Sequence, residues 1–256
     1  MANTKVSVNP NSVVRILGGI AFFLVVDSTA AVLTNYFTGQ ASSFAHKIVK
    51  LFYVDLELNV PAFFSMSLLL FAAALLAAIT VLKKKQMDRY VMHWAILSCG
   101  FLFMSFDEIV AVHERLIEPM RAILGEENLG ILYFAWVVPI IALVSFLALF
   151  FLRFLWSLPA KTRFYFLIAA SLYIGAAIGL ELVEGMRAEI YGKENLIYIA
   201  LTTIEEALEM TGAIVFIWAL LGYIADNFKE VRLQFCDFAS SSQKQNDGQE
   251  DCRSKL

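Results

Sequence analysis

Charge is scarce in this 256-residue chain: 17% of residues are Asp, Glu, Lys or Arg, while 59% are apolar and the mean hydropathy is +0.69. A soluble domain carries about a quarter charged residues, so this composition excludes an ordinary soluble enzyme and a disordered chain. Cysteine is also rare. Cys99 lies in an apolar run and Cys236 and Cys252 lie in a polar C-terminal stretch, which excludes a disulfide framework. The three histidines are scattered, with His46 in a loop and His93 and His113 toward opposite ends of one apolar segment, which disfavours a three-histidine zinc site. Five prolines and thirteen glycines leave most of the chain free to be helical. No internal repeat occurs. The one basic run, Lys83–Lys85, reads as a membrane-topology signal, so no nucleic-acid partner is expected.

What the chain has in excess is long apolar runs. Segments at about 13–33, 61–82, 91–117, 130–152, 164–190 and 198–225 are each long enough to cross a hydrocarbon core of roughly 30 Å as a helix. The sequence therefore predicts an all-α, polytopic integral membrane bundle over 1–228, with six transmembrane helices. Residues 229–256 read as a flexible cytoplasmic tail. The long connection 35–60 carries Phe44, Ile48, Leu51 and Phe52 near one helical face, which suits an interfacial helix over 42–53; an irregular loop with apolar anchors fits as well. Fourteen basic residues fall on the side of the two termini and six on the other, so both termini are expected in the cytoplasm. Residues 16–26 also fit a signal-peptide core with Ser28-Thr29-Ala30 as its cleavage site, which a multispanning chain rarely needs.

The informative residues are the ionisable ones inside the spans, where each charge costs about 2.5–3.5 kcal/mol on insertion scales. They are Asp27 in span 1, Asp107, Glu108, His113 and Glu114 in span 3, Glu181 and Glu184 in span 5, and Glu205, Glu206 and Glu209 in span 6. With the expected topology all lie in one depth zone, in the outer half of the membrane. At about 100° per residue Asp107, Glu114 and Glu118 fall on one line. Glu181 and Glu184 share a face with Tyr173 and Ala177, and Thr202, Glu205, Glu206 and Glu209 form a polar arc. Trp94, Trp136, Trp156 and Trp218 read as interface anchors or core packing.

Nine carboxylates at that end face Arg115, Arg187, His113 and, further out, Arg121. Like charges in a low-dielectric pocket must gain protons, water or cations. A carboxylate-rich set with one imidazole suits a divalent ion such as Fe, Mn, Mg or Ca. The two Glu-x-x-Glu pairs, Glu181/Glu184 and Glu206/Glu209, suggest a carboxylate-bridged site, although the Glu-x-x-His of four-helix di-iron bundles is missing. Ser105 and His113 stand about 12 Å apart along a helix and cannot form a nucleophilic dyad within it.

The expected function is therefore a membrane protein whose extracytoplasmic carboxylate cluster binds a divalent cation. It would serve a metal-dependent reaction on a lipid or lipid-linked substrate, with Glu108 or Glu205 as general base. A non-catalytic cation or proton sensor, an assembly protein and a divalent-cation transporter are the alternatives; the apolar run 212–224 argues against a conduit through the inner half. The blander reading is that the acids line a wet vestibule or cap projecting helices. A cell membrane, such as a bacterial inner membrane, with membrane lipids as neighbours is the expected location.

Overall fold

A computed structural model describes residues 9–38, 47, 50–125 and 128–228. The helices are α1 (Pro10–Thr38), α2 (Val60–Lys85), α3 (Val91–Val110), α4 (Ile117–Leu124), α5 (Val137–Ser157), α6 (Ala160–Ile174), α7 (Glu181–Tyr191) and α8 (Leu196–Asn227). No strand occurs among the described residues. A π-helical turn, Gly175–Leu180, joins α6 to α7 in one rod. Six stretches are long and apolar enough to cross a membrane: the first 25 residues of α1, then α2, α3, α5, the α6–α7 rod and α8. The protein is the all-helical multi-pass bundle that its hydropathy predicts.

Local chemistry sets the helix starts. Asn59 Oδ1 accepts from the Ala62 amide at 3.0 Å at the head of α2, and Asn195 Oδ1 accepts from the Tyr198 amide at 2.9 Å at the head of α8. Such caps are worth about 1 kcal/mol each. Lys83, Lys84 and Lys85 occupy the last turn of α2, where they complement the negative end of the helix dipole. Gly192, at φ +73°, supports the tight reversal between α7 and α8. That reversal lays the first turn of α7 beside the upper turns of α8.

The core sits between α2 and α8. Leu68, Leu69, Ala72, Leu76 and Ile79 of α2 pack in one cluster with Met210, Ala213, Ile217 and Leu220 of α8. Helix α3 lies along α2, and α8 also packs against α1 and α6. Small residues matter where membrane helices touch by their backbones. Gly212 is such a point, since a Cβ there would stand 2.9 Å from the Tyr173 nitrogen and 3.1 Å from the Ala169 oxygen. Helix α5 meets its neighbours through rings: Phe154 lies 4.9 Å from Trp94 and 5.6 Å from Tyr90, while Phe146 and Leu149 face outward.

Two spans differ from their expected limits. The third ends at Val110 rather than 117, because Ala111 turns left-handed at φ +48° and donates its amide to the Asp107 carbonyl at 2.8 Å. Asp107 Oδ1 then accepts from the His113 amide at 3.1 Å, so the aspartate holds the turn it terminates. The fourth span starts at Val137 rather than 130, after a short 3₁₀ turn at Gly130–Leu132. The expected tail 229–256 lies outside the described residues, as does most of the expected helix 42–53. Within that helix, residues 47 and 50–52 are helical.

Candidate metal centre

The acids come from helix ends that share one end of the bundle. Glu181 and Glu184 stand on the first turn of α7, and Glu205 stands on α8 opposite them. One carboxylate oxygen from each lies within 4.8 Å of the other two. Ligands about a single ion are separated by at most twice the metal–oxygen distance, which is about 4.2 Å for Mg²⁺ and about 4.8 Å for Ca²⁺. The triad thus has the span of a one-ion site. Glu184 is 1% exposed and Glu205 8%, and Glu184 Oε1 has no hydrogen-bond partner. A buried carboxylate oxygen left unpaired is costly. Among the described residues, no Lys or Arg ion-pairs with any of the three.

Around the triad the protein supplies positioning groups. Trp136 Nε1 donates to Glu181 Oε1 at 2.8 Å. The Trp136 ring lies 4.7 Å from the His113 ring, and His113 Nδ1 pairs with Asp107 Oδ2 at 2.7 Å. That bond fixes the imidazole and leaves Nε2 as its working nitrogen. The segment before α2 closes over the same place: the Val54 amide donates to the buried Ser28 Oγ at 3.0 Å, and Asn59 Nδ2 donates to the Tyr53 carbonyl. This brings Tyr53 beside Thr202 and within the field of Glu184. Asp55 stands next to Tyr53; it keeps contact with solvent, and partial desolvation by its surroundings raises its carboxyl to about 6. The ammonium acting on Asp55, Glu181 and Glu184 is Lys193, whose Nζ also lies 4.7 Å from the centre of the Phe134 ring.

The expected site residues therefore divide. Glu181, Glu184 and Glu205 converge, with the Asp107–His113 pair beside them. Glu108, Glu206 and Glu209 gather instead around Tyr173, toward α2 and α6. Glu114 is exposed on the 3₁₀ turn after the break at Ala111, so the expected Asp107–Glu114–Glu118 line does not form. Asp27 is exposed on α1. Tyr173 does not share the face of Glu181 and Glu184, because the π-turn between them resets the helical phase. Ser105 donates to the Met66 carbonyl at 3.0 Å and so ties α3 to α2. Arg187 lies over Tyr191, and Arg121 donates to the Tyr133 carbonyl; neither ion-pairs with the triad.

Trp136, Tyr53, Asp55 and Lys193 were not legible as site residues. Trp136 follows a 3₁₀ turn inside an apolar run, and the other three sit in connections with no motif. The weak signal was an acid or a base in a connection that returns to the acidic end.

A family profile described as a domain of unknown function, DUF8692, matches residues 18–224, which takes in every residue of the centre. The chain belongs to the DUF8692 family. Within the DUF8692 match lie both the triad and the Asp107–His113 pair. No curated protein and no solved structure matches the chain.

Proposed function

We propose that this DUF8692 protein binds a divalent cation at Glu181, Glu184 and Glu205, from the extracytoplasmic side of a cell membrane, and uses it in a reaction on a lipid or lipid-linked substrate. The observation that carries the reading is Glu184: a carboxylate 1% exposed, with one oxygen unpaired and two more carboxylates within 4.8 Å. Three such groups without a nearby guanidinium or ammonium ion pair favour a cation among them. Bound there, a divalent ion supplies Lewis-acid polarisation of a substrate oxygen.

The residues around it have separable tasks. Trp136 orients Glu181 through the indole N–H. Asp107 holds His113 so that Nε2 is free to take or give a proton, which favours His113 over Glu108 or Glu205 as the general base. Glu205 belongs to the ion, and Glu108 faces the other carboxylate group.

The test is the metal content of detergent-purified protein, measured by mass spectrometry beside Glu184→Gln. The proposal expects close to one divalent ion per chain, lost in the variant. Equal metal in both, or none in either at neutral pH, overturns it. Hydrolysis of labelled lipids by metal-loaded protein then separates an enzyme from a sensor, and ion flux into proteoliposomes from a transporter.

A further inference from the structure

At the end of the bundle opposite the triad, three arginines stand where α3 starts and α5 stops. The Tyr90 ring ties two of them together. The Arg89 guanidinium lies over that ring, 4.5 Å from its centre, and the Tyr90 hydroxyl donates to the Arg153 carbonyl at 3.4 Å. The third, Arg163 of α6, lies 4.5 Å over the Trp156 ring and donates from Nη1 to the Trp156 carbonyl at 3.3 Å. Trp156 follows Arg153 by one turn of α5, which makes the two side chains surface neighbours. A ring under a guanidinium holds it in place and leaves its N–H groups to other partners. Among the described residues, no carboxylate ion-pairs with any of the three arginines. Asp88, beside Arg89, is engaged by Lys83 Nζ at 3.1 Å and by the Tyr90 amide at 2.8 Å, and Asp226 pairs with Lys161.

The stripe that carries Arg153 runs on into the membrane. Phe146, Leu149, Arg153 and Trp156 follow one another at helical spacing on one face of α5. Phe146 is 64% exposed, Leu149 75% and Trp156 63%, on a helix long and apolar enough to span a membrane. That face is apolar along the span and cationic where the span ends. We infer that Arg89, Arg153 and Arg163 bind the phosphate headgroup of a phospholipid of net negative charge, with an acyl chain along Leu149 and Phe146. Guanidinium forks match phosphate oxygens in pairs through charge-assisted bonds. A zwitterionic headgroup brings its own cation against the three arginines, and a net negative one does not. Free phosphate would leave the apolar stripe unused. A second copy of the chain fits poorly, because a two-fold axis along the membrane normal sets Arg153 at the depth of its counterpart. This lipid is distinct from any substrate at the acidic end, and its site needs neither the triad nor a particular sidedness.

The experiment is thermal unfolding of the delipidated, detergent-purified full chain, titrated with dioleoylphosphatidylglycerol, dioleoylphosphatidylcholine or inorganic phosphate. Phosphatidylglycerol is expected to raise Tm by several degrees in a saturable way, with little change from the other two. Arg153→Gln should weaken its apparent affinity about tenfold, the worth of a hydrogen bond to a charged group, and Arg89→Gln should do the same. Both side chains are exposed, so the variants should unfold like the parent in phosphatidylcholine. Lys84→Gln removes an exposed charge at the same end and should leave the affinity essentially unchanged. Glu184→Gln should keep the full shift, so a failure of the divalent proposal leaves this result readable. Equal Tm with both lipids overturns the inference, as does an equal loss in Lys84→Gln and Arg153→Gln, which means diffuse charge attraction. A shift of the same size from inorganic phosphate removes the lipid as its source. Cross-linking of Leu149→Cys chains into dimers gives the face to a second copy and overturns it too.

Discussion

The indole N–H of Trp136 points at Glu181 Oε1, 2.8 Å away, across 45 residues of sequence. It ties the connection before α5 to the first turn of α7, and it leaves the other Glu181 oxygen free for a ligand. Outer groups of this kind typically account for 10–100-fold in metal affinity. Trp136→Phe keeps the ring against His113 and removes only the donor. We expect divalent affinity to fall by about tenfold, read by calorimetric titration, with Tm in chelator lowered by no more than a few degrees. Unchanged affinity would separate Trp136 from the site.

Asp55 gives the acidic end a pH dependence of known sign. Partial desolvation raises the folded-state value of this solvent-contacting carboxyl to about 6 from the ordinary 3.8, and its neighbours Tyr53 and Lys193 only partly oppose that. Ionising it therefore costs the folded state more than the unfolded one. The penalty is absent below about pH 4 and grows until the pH passes 6. Asp55→Asn should raise Tm in chelator at pH 8 and do little at pH 4. Thermal scans at the two pH values decide it, and an equal effect at both removes desolvation of the charge as the cause.

Gly212 is a close backbone approach between α6 and α8, with the Cβ of any other residue placed 2.9 Å from the Tyr173 nitrogen. The opposing atoms are main chain and cannot swing away. Gly212→Ala should cost about 1–3 kcal/mol by forcing the helices apart. Denaturant unfolding in detergent measures the cost. A fully stable Gly212→Ala variant would mean that the two helices can part at no cost.

The helices were legible because lipid imposes one demand on every span, a long apolar run, and 59% apolar residues write it plainly. The joint presence of Glu181, Glu184 and Glu205 was legible for a related reason, since acids are expensive in apolar runs. Their subdivision was not. The break after Val110 rests on an alanine in a left-handed turn, with no glycine or proline to announce it, and it takes Glu114 out of line. The π-turn likewise has no sequence signature in GAAIGL, yet it decides that Tyr173 belongs with Glu209 rather than with Glu184. Trp136 reads from sequence as an interface anchor or core packing, because its partner is 45 residues away and periodicity reports only neighbours.

The π-turn at Gly175–Leu180 lets one rod serve two customers. A regular helix has a single phase, so residues eight apart such as Tyr173 and Glu181 would be locked at a fixed angle of about 80°. A π-turn carries an extra residue and rotates everything beyond it by about 100°. The half below aims Tyr173 at Glu209, and the half above aims Glu181 and Glu184 at Glu205. Deleting one residue there would leave composition, hydropathy and span length almost untouched. It would nonetheless turn the upper half of the rod, and both its carboxylates, away from Glu205.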